Sequence, residues 1–386
     1  MRILHTSDWH LGRSFHGAGM LEAQRSFVDQ LVETVVTEEV DVLLISGDVY
    51  DRALPPVDVV NLFDDALVRV TATGCKVVIT SGNHDSAIRL GFASRLLERG
   101  GVFLRTRVSE LAQPCVVEGD GFELAVYGIP FLEPRMVAAA LDVEQPGHFS
   151  VTQAAVERIH ADLQARRHAG TVVSVVMAHT FASGGITSES ERDLNIGGLG
   201  AVPLDLFQGF DYTALGHLHG RQTLSETVRY SGSPLPYSFS EARHQKGAWL
   251  VEIDAAGVTS VREVPFTSLR QLAVLRGTLA GLLEDPQLEW AQEAYCQVTL
   301  TDTQKPAQAM DSIRSRFPHT LVLSFDPEGA QLSQKKTYSQ RVREAVDELD
   351  VCCGFLDHVR DRPASEPERQ SLVEALESVR ALEGSK

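Results

Sequence analysis

The 386-residue sequence contains few cysteines, few lysines and no long apolar run. Its five cysteines are an odd number without CxxC spacing, which argues against a disulfide framework or a zinc ribbon and fits a reducing cytoplasm. No uninterrupted run of about 18 apolar residues occurs, so no segment is expected to span a membrane. The amino terminus shows no apolar core of a signal peptide. We therefore expect a cytoplasmic protein.

Basic charge is also scarce, because 52 acidic residues outnumber 35 lysines and arginines and give a formal net charge of −17. Taken alone, this balance argues against a nucleic-acid-binding protein, since phosphate contacts are usually made by a basic surface. A GxxxxGK[ST] loop is missing as well, so the chain is not expected to bind ATP through a P-loop. Any dependence on ATP would have to come from a partner.

Apolar segments rich in β-branched residues alternate with helical patterns in the first part of the chain. Helices are predicted at 21–39, where Phe27, Leu31 and Val35 share one face, and at 57–70. Strands are predicted at 2–7, 41–46, 76–80, 123–127, 172–178, 212–215, 229–231, 248–253 and 259–264. The early alternation predicts parallel βαβ units, and the later strands predict a second, mixed sheet packed on the first. Residues 1–265 are therefore interpreted as one layered α/β domain.

A smaller unit is predicted beyond Pro265. Three short strands, with a helix at 306–317 between the last two, indicate a small α/β module at 266–326. Residues 327–337 are polar and turn-rich and are interpreted as a linker. Residues 338–386 carry amphipathic helical patterns around 342–349 and 372–382, which would either pack on the body or dock on a partner.

Five short signatures follow predicted strands, at the carboxyl ends where open α/β sheets place their sites. They are Asp8-Trp9-His10, Gly47-Asp48, Gly82-Asn83-His84-Asp85, His179 and Gly216-His217-Leu218-His219. Each signature alone is more often a turn or a core histidine with satisfied hydrogen bonds. Five signatures at equivalent positions indicate one shared site.

The residue types suit a pair of metal ions. Two divalent ions about 3.5–4 Å apart can clamp the attacking and leaving oxygens of a phosphoryl displacement. Such a pair needs a shared ligand, and a carboxylate with several lone pairs, here Asp48, can bridge. One ion would be completed by Asp8, His10 and His219, and the other by Asn83, His179 and His217, since alternating positions let His217 and His219 reach different ions. Mixed nitrogen and oxygen ligands suit Mn²⁺, Fe²⁺ or Zn²⁺ better than Mg²⁺.

His84 follows the predicted ligand Asn83 and should point away from it. It would then be free to hold the scissile phosphate or to protonate the leaving oxygen, which suits a histidine side chain. Asp51 could hydrogen-bond His84 and keep it oriented and charged; the alternative is a helix-start cap ahead of Pro55-Pro56. Arg13 and His16 follow the first signature and would either contact DNA phosphate or form a plain surface loop.

The order D-x-H, GD, GNHD, H and GHLH resembles the calcineurin-like metallophosphoesterase superfamily. Longer stretches are similar to one branch of it, the bacterial SbcD nuclease subunits that act with the SbcC ATPase. These stretches are MRILHTSDWHLGRSF from Met1, GDVYDRALPP from Gly47, SGNHDS from Ser81, IPFL from Ile129 and RYSGSPLP from Arg229. The similarity covers roughly residues 1–265. The module and the tail resemble that family's capping domain and partner-binding helices in position.

The resemblance implies a layered two-sheet core, α/β/β/α, with a small α/β capping domain that contacts DNA and a helical tail that docks on SbcC. It implies a Mn²⁺-dependent nuclease that uses two ions to cut DNA at double-strand ends and to open hairpins in repair and recombination. It also implies a homodimer and a place at the nucleoid. The family's metal ligands correspond to Asp8, His10, Asp48, Asn83, His179, His217 and His219, and its catalytic histidine to His84. Archaeal and eukaryotic relatives commonly have a histidine where this chain has Asp51, so the family leaves the role of Asp51 undefined.

Two other functions are compatible with parts of the sequence. Another metallophosphoesterase, such as a cyclic-nucleotide phosphodiesterase or a protein phosphatase, would share the ligands but would not need the module or the tail. Protein phosphatases also tend to have GNHE where this chain has GNHD. A non-catalytic scaffold at DNA ends would need a decayed site, yet all candidate ligands are of usable type. The acidic balance predicts weak, salt-sensitive DNA binding by the isolated chain, because two ions would offset only about four negative charges.

Overall fold

A computed structural model describes residues 1–191, 200–327, 348–360 and 364–383. In chain order the strands are β1 (Arg2–Thr6), β2 (Ser14–Phe15), β3 (Ala18–Gly19), β4 (Val42–Ser46), β5 (Lys76–Thr80), β6 (Val102–Arg105), β7 (Cys115–Glu118), β8 (Glu123–Ile129), β9 (Val172–His179), β10 (Tyr212–Gly216), β11 (Gln222–Thr223), β12 (Val228–Tyr230), β13 (Gly247–Asp254), β14 (Gly257–Pro265), β15 (Leu272–Gly277), β16 (Tyr295–Leu300) and β17 (Thr320–Phe325). The helices are α1 (Leu21–Thr37), α2 (Val57–Thr71), α3 (Ala87–Leu90), α4 (Ser94–Leu97), α5 (Pro134–Val137), α6 (His148–Ala169), α7 (Leu279–Glu284), α8 (Ala309–Arg316), α9 (Glu348–Arg360) and α10 (Glu366–Glu383).

Two six-stranded mixed sheets form the body of the protein. The first has the order β14-β13-β1-β4-β5-β6, in which β1, β4, β5 and β6 are parallel and β13 is antiparallel to β1. The second has the order β11-β12-β10-β9-β8-β7, with four parallel inner strands and an antiparallel strand at each edge. The predicted parallel units and the predicted second, mixed sheet are confirmed.

Successive residues of the strands face opposite sides of each sheet, one side packed against the other sheet and one side packed against helices. In β1, Ile3 lies in the core between the sheets, whereas Leu4 lies in the core under α1 and α2. In β8, Val126 lies between the sheets, whereas Tyr127 packs with residues of α6. Because both faces of each sheet are covered, the strands are apolar on both faces. The layer order is α/β/β/α, as predicted.

The helix α6 has no counterpart among the predicted elements. Its residues Val151, Ala155, Ile159 and Leu163 recur at four-residue spacing and are buried against the second sheet. The same face carries small and polar residues such as Thr152, which weakens the contrast between the buried and the exposed sides of the helix. The short strands β6 and β7 were not predicted either.

Strands β15, β16 and β17 form a separate, all-parallel sheet with its own core. That core includes Leu275, Val298 and, from α8, Ile313. The three predicted strands of the module are present, and the predicted helix at 306–317 is shortened to α8. Leu272 of β15 is buried in the core beneath α1 and α2, so the small sheet packs on the body.

Helices α9 and α10 belong to a compact unit of their own and pack against each other. The predicted pattern at 372–382 lies within α10. Residues 342–347 of the other predicted pattern, and the predicted linker beyond Pro327, lie outside the described residues. None of the helices in the described part of the chain is long and apolar enough to cross a membrane.

Candidate metal centre

The five predicted signatures lie together where parallel strands of both sheets end. Residues after β1, β4, β5 and β10, and the last residue of β9, supply Asp8, Asp48, Asn83, His84, His217 and His179. The main chain ties the first two loops together, because the N–H of Asp8 donates to the carbonyl oxygen of Gly47 at 3.1 Å and the N–H of His10 to that of Asp48 at 3.0 Å. The side chains therefore converge from two sheets on one volume.

The backbone at this edge adopts unusual conformations. Asp8, His10 and Asp48 have φ angles of 52°, 43° and 48°, in the left-handed region that residues other than glycine rarely occupy. Such conformations persist only where the surrounding structure holds them, and they cluster at functional sites. The three residues are all among the predicted metal ligands.

Asp8, His10 and His219 make up what we call the first group. Nε2 of His10 lies 3.0 Å from Nε2 of His219, and the three residues offer donor atoms within 4.8 Å of one another. The N–H of His217 donates to both carboxylate oxygens of Asp8 at 3.1 Å. All three side chains of the first group are buried, so their donor atoms face one another and not solvent.

Asp48, Asn83, His179 and His217 make up the second group. Nε2 of His179 lies 2.9 Å from Oδ1 of Asn83 and 3.4 Å from Oδ2 of Asp48. The ring of His217 stands edge-on to that of His179, with the ring centroids 5.4 Å apart. His217 and His219 therefore face different groups, although one residue separates them in the sequence.

The Asp48 carboxylate belongs to the second group and also lies next to the first. Its Oδ2 is 3.6 Å from Nε2 of His10 in the first group and 3.4 Å from Nε2 of His179 in the second. Its Oδ1 accepts from the N–H of His84 at 2.8 Å, which fixes the carboxylate in place. This position is the one that a shared ligand of two ions requires.

The residues present fit a pair of divalent cations. The cluster combines two buried carboxylates with buried imidazoles, and Nδ1 of His10 has no hydrogen-bond partner among the described residues. Two nitrogens bound to one ion at about 2.1 Å each lie about 3 to 3.4 Å apart for angles between the octahedral right angle and the tetrahedral angle, and the Nε2 atoms of His10 and His219 are 3.0 Å apart. A mixed nitrogen and oxygen donor set of this kind suits Mn²⁺, Fe²⁺ or Zn²⁺.

The pKa values of the side chains in the cluster are shifted in a way that suits the binding of a cation. Burial raises the pKa of Asp8 to about 6. Burial also acts to raise the pKa of Asp48, but the neighbouring His179 outweighs it and holds that pKa well below its usual range. Burial acts to lower the pKa of His179, but the negative charge of Asp48 outweighs it and raises that pKa to about 9. Burial lowers the pKa of His217 to about 3. In the ion-free chain a proton on His179 thus balances Asp48, and a bound cation would replace it.

His84 lies at the more open side of the cluster, with 8% of its surface exposed. Its ring stands edge-on to that of His10, 4.6 Å between centroids, and its Nε2 is 3.9 Å from Oδ2 of Asp48. Its Nδ1 lies 2.9 Å from the main-chain carbonyl oxygen of Asp51, whereas the Asp51 carboxylate is 3.9 Å away. The contact within hydrogen-bond distance is therefore with the main chain of Asp51. Asp51 does not cap a helix, because α2 starts after Pro56.

Asp85, which the sequence analysis assigned no role, fastens two of the loops together. Its carboxylate accepts from the N–H groups of Val49, Tyr50 and Gly82 at 3.1, 2.9 and 2.9 Å. It thereby joins the loop that carries Asp48 to the loop that carries Asn83 and His84. The GNHD signature pointed to this residue but could not say which main-chain groups it would hold.

Two glycines of the signatures are required by close approach. A Cβ atom on Gly47, which has a φ of 84°, would lie 2.3 Å from Nδ1 of His179. A Cβ atom on Gly82 would lie 2.1 Å from Oδ1 of Asp48. Neither position can carry a side chain without displacing a candidate ligand.

A buried ion pair that the sequence analysis missed lies behind the first group. Glu241 and Lys246 pair with each other, and Oε1 of Glu241 accepts from the Ser190 hydroxyl at 2.5 Å. The Ser190 oxygen in turn lies 2.6 Å from Nδ1 of His219. These three residues carry no motif, and only the folded chain brings positions 190, 219, 241 and 246 together.

Arg13 and His16 take different positions. Arg13 is largely buried: its Nη2 donates to the carbonyl oxygen of Ser190 at 2.8 Å, and its guanidinium lies over the ring of Tyr237. The Arg13 side chain is therefore held by contacts within the protein, and its contact with DNA phosphate stays a prediction. His16 is exposed, and its ring packs on Phe15 and Phe239.

Comparisons with known proteins agree with this geometry. Residues 1–221 match the family model described as calcineurin-like phosphoesterase, and residues 268–377 match the model described as type 5 capsule protein repressor C-terminal domain. The SbcD subunit of the nuclease SbcCD from Staphylococcus saprophyticus is 32% identical over 326 residues, which cover 84% of this chain and 84% of that protein.

Two solved structures are similar at low identity. TT1561 of Thermus thermophilus is 13% identical and covers 68% of this chain and 98% of its own, with a TM-score of 0.39. A dimetal phosphatase from Danio rerio is 13% identical and covers 69% of this chain and 99% of its own, with a TM-score of 0.41.

Proposed function

The chain belongs to the calcineurin-like phosphoesterase family and, within it, to the family of SbcD subunits of SbcCD nucleases, and from this premise we propose that it is a DNA nuclease. It hydrolyses phosphodiesters with two divalent ions, most naturally Mn²⁺, cutting at double-strand ends and opening hairpins in repair and recombination. The observation that carries the proposal is the Asp48 carboxylate, which lies within 3.6 Å of a histidine nitrogen in each group.

The first group and Asp48 would hold one ion, and the second group, which includes Asp48, the other. When bound, a pair of divalent ions supplies positive charge to a phosphoryl group and a nucleophile at neutral pH. The chain contributes the shared carboxylate, held by the N–H of His84 at 2.8 Å. It also contributes burial, which keeps water away from the donor atoms and strengthens their electrostatic interactions.

His84 is the residue that we assign to proton transfer and phosphate binding. Because Nδ1 is directed at the carbonyl oxygen of Asp51, that nitrogen carries the hydrogen and Nε2 faces the centre. A second proton would reside on Nε2, from which it could pass to a leaving oxygen or hold a phosphate oxygen. The Asp51 carboxylate, 3.9 Å from Nδ1, offers a counter-charge to the charged ring.

We propose an SbcC-type ATPase as the partner, acting in the cytoplasm at the nucleoid. The absence of a P-loop motif in the sequence leaves ATP to that partner. Helices α9 and α10 pack as a pair, and Phe355 on α9 is half exposed, which suits a docking element. The formal net charge of −17 also supports a partner, because an acidic chain offers few basic contacts to DNA phosphates and the partner would supply much of the DNA-binding affinity.

A homodimer is also part of the proposal. Large apolar side chains are strongly exposed around the start of α2 and along α3 and α4, namely Leu54, Val57, Ile88, Phe92 and Leu96. The two segments adjoin, since Nη1 of Arg89 donates to the carbonyl oxygen of Ala53 at 3.0 Å. Exposed large apolar side chains on adjoining segments are typical of a protein interface.

The test is hydrolysis of a hairpin-ended DNA and of bis-p-nitrophenyl phosphate by the purified chain, with Mn²⁺, with EDTA, and with His84→Gln. We expect Mn²⁺-dependent cutting of the DNA that EDTA and His84→Gln abolish. Cleavage of the small ester with intact DNA would favour another phosphodiesterase or a need for the ATPase partner. DNA binding without hydrolysis of either substrate would favour a scaffold and contradict the proposal.

A further inference from the structure

Four buried side chains form a continuous polar chain that ends at the first group. Lys246 pairs with Oε2 of Glu241, and Oε1 of Glu241 lies 2.5 Å from the Ser190 oxygen. The Ser190 oxygen lies 2.6 Å from Nδ1 of His219. Each of these four residues is less than a tenth exposed. The positions of the hydrogens along these hydrogen bonds decide which ring nitrogen of His219 is free to bind a cation.

The hydrogen positions between Lys246, Glu241, Ser190 and His219 follow from the charges of these side chains. Glu241 is paired with buried Lys246, so its carboxylate is ionised and only accepts hydrogen bonds. The Ser190 oxygen lies 2.5 Å from Oε1 of Glu241 and 2.9 Å from the Ser188 hydroxyl, which can itself donate. Two oxygens 2.5 Å apart need a hydrogen between them, and the ionised carboxylate has none, so the single hydrogen of the Ser190 hydroxyl is directed at Glu241. The Ser190 oxygen must then accept, and the hydrogen between it and His219 belongs to Nδ1 of the imidazole. This leaves the lone pair of the neutral ring on Nε2, the nitrogen that lies 3.0 Å from Nε2 of His10.

The same residues hold the main chain of His219. Nζ of Lys246 donates to the His219 carbonyl oxygen at 2.8 Å and to the Ser233 hydroxyl at 2.9 Å. The N–H of His219 donates to Oε1 of Glu191 at 2.7 Å. Ring orientation and main-chain position are thus set by one connected network, which leaves His219 little freedom to turn away from the first group.

We propose that Lys246, Glu241 and Ser190 are positioning residues that hold His219 in the Nδ1–H tautomer, with Nε2 ready to bind a divalent cation of the first group. The inference rests on the proposed function, since it concerns a ligand of the proposed metal pair. Partners of this kind outside the coordination shell typically change metal affinity 10–100-fold when removed. In the second group, His179 is held differently, because its Nδ1 faces the main-chain carbonyl oxygen of Ser46.

The experiment measures Mn²⁺ binding to the full chain by calorimetry and by the electron paramagnetic resonance signal of free Mn²⁺. The variants are Ser190→Ala and Glu241→Gln. The matched control is Ser174→Ala, because Ser174 is also buried and donates to a carboxylate, that of Asp211, at 2.7 Å, away from the candidate centre. Ser188 is not a suitable control, since its hydroxyl lies 2.9 Å from that of Ser190.

We expect two ions on the wild-type chain and on Ser174→Ala. In Ser190→Ala one ion should bind about 10–100-fold more weakly while the other is unchanged, and Ser190→Thr, which keeps the hydroxyl, should restore binding. Unchanged affinity for both ions in a folded Ser190→Ala chain would overturn the inference and leave the proposed function intact. A wild-type chain that binds no Mn²⁺ would instead overturn the proposed function.

A second measurement needs no metal, and its wild-type part does not depend on the folding of any variant. Nitrogen-15 NMR of the ion-free wild-type chain reports which ring nitrogen of His219 carries the hydrogen. The Nδ1–H form is expected, and Glu241→Gln should lower its population. An Nε2–H form in the wild-type chain would overturn the inference even if the variants failed to fold.

Discussion

The two groups of the candidate centre are anchored in different ways. In the second group, Nδ1 of His179 lies 3.0 Å from the main-chain carbonyl oxygen of Ser46, the last residue of β4. In the first group, Nδ1 of His219 lies 2.6 Å from a side-chain hydroxyl, behind which stands a buried ion pair. One anchor is a neutral group of the sheet, and the other is a charged network of side chains from two loops.

This difference shows which half of the centre can be altered by substitution. A main-chain carbonyl oxygen stays in place whatever side chain occupies position 46, so the second group keeps its anchor. The first group depends on Ser190 and Glu241, and each can be replaced. We therefore expect the second group to be the more robust of the two proposed metal sites and the first to be the more adjustable.

The largest effect is expected from Asp48→Asn, which affects both groups at once. The amide is neutral and has one acceptor oxygen where the carboxylate has two, so both ions should weaken together. Turnover of bis-p-nitrophenyl phosphate should fall by more than about 100-fold, the upper end for partners outside the coordination shell. Calorimetry with Mn²⁺ beside the turnover assay checks this, with Asp65→Asn, an exposed carboxylate on α2, as the control. Loss of one ion alone would show that Asp48 is not shared.

Removal of the ions with EDTA should lower the Tm, and adding Mn²⁺ back should show whether the two groups hold their ions with different affinity. An ion present at 100 times its Kd stabilises the folded chain by about 2.7 kcal/mol. At roughly 2–4 °C for each kcal/mol, EDTA should lower the Tm by several degrees per ion. Calorimetric scans during back-titration with Mn²⁺ should show two steps, because the two groups hold their ions differently. A single step would mean that the anchors do not matter for affinity.

The pH dependence of binding should distinguish the second group. Burial lowers the pKa of His179, but Asp48 outweighs it and raises that pKa to about 9, so at pH 7 the ring must lose a proton to bind an ion. Affinity should therefore rise from pH 7 to about 9, by up to about tenfold per pH unit, and then level off. Calorimetry in buffers of different ionisation enthalpy counts the protons. Binding without proton release would contradict the charge balance between Asp48 and His179.

The smallest effect is expected from Asp51→Asn. The carbonyl oxygen near Nδ1 of His84 is retained, whereas the substitution removes a counter-charge 3.9 Å from that nitrogen and the ion pairs of Asp51 with Arg13 and Arg52 at 3.8 and 3.5 Å. Turnover at saturating Mn²⁺ should fall by less than about tenfold, whereas His84→Gln should abolish it. Unchanged turnover would show that the Asp51 carboxylate contributes nothing to His84. A fall as large as that of Asp48→Asn would mean that the carboxylate acts directly in the centre.

The layered fold could be predicted because strand periodicity and the strand–helix alternation are local properties of the chain. The candidate ligands could be selected for a similar reason, since each follows an apolar strand and parallel strands bring their carboxyl ends to one edge. Helix α6 escaped prediction because its buried face mixes Val151 and Ile159 with small and polar residues. Nothing local distinguishes its buried side clearly from its exposed side.

The candidate residues could be named from the chain alone, because they lie at or just after the ends of strands and their type and order select them as candidates for the chemistry: Asp8, His10, Asp48, Asn83, His84, His179, His217 and His219. How these residues are held depends on the tertiary structure. The contact of His84 with a carbonyl oxygen, the role of Asp85 between two loops, and the path from Lys246 to His219 depend on hydrogen bonds between distant segments. A hydrogen bond needs two groups within about 3 Å, and for segments this far apart in the chain that distance exists only after both sheets have packed.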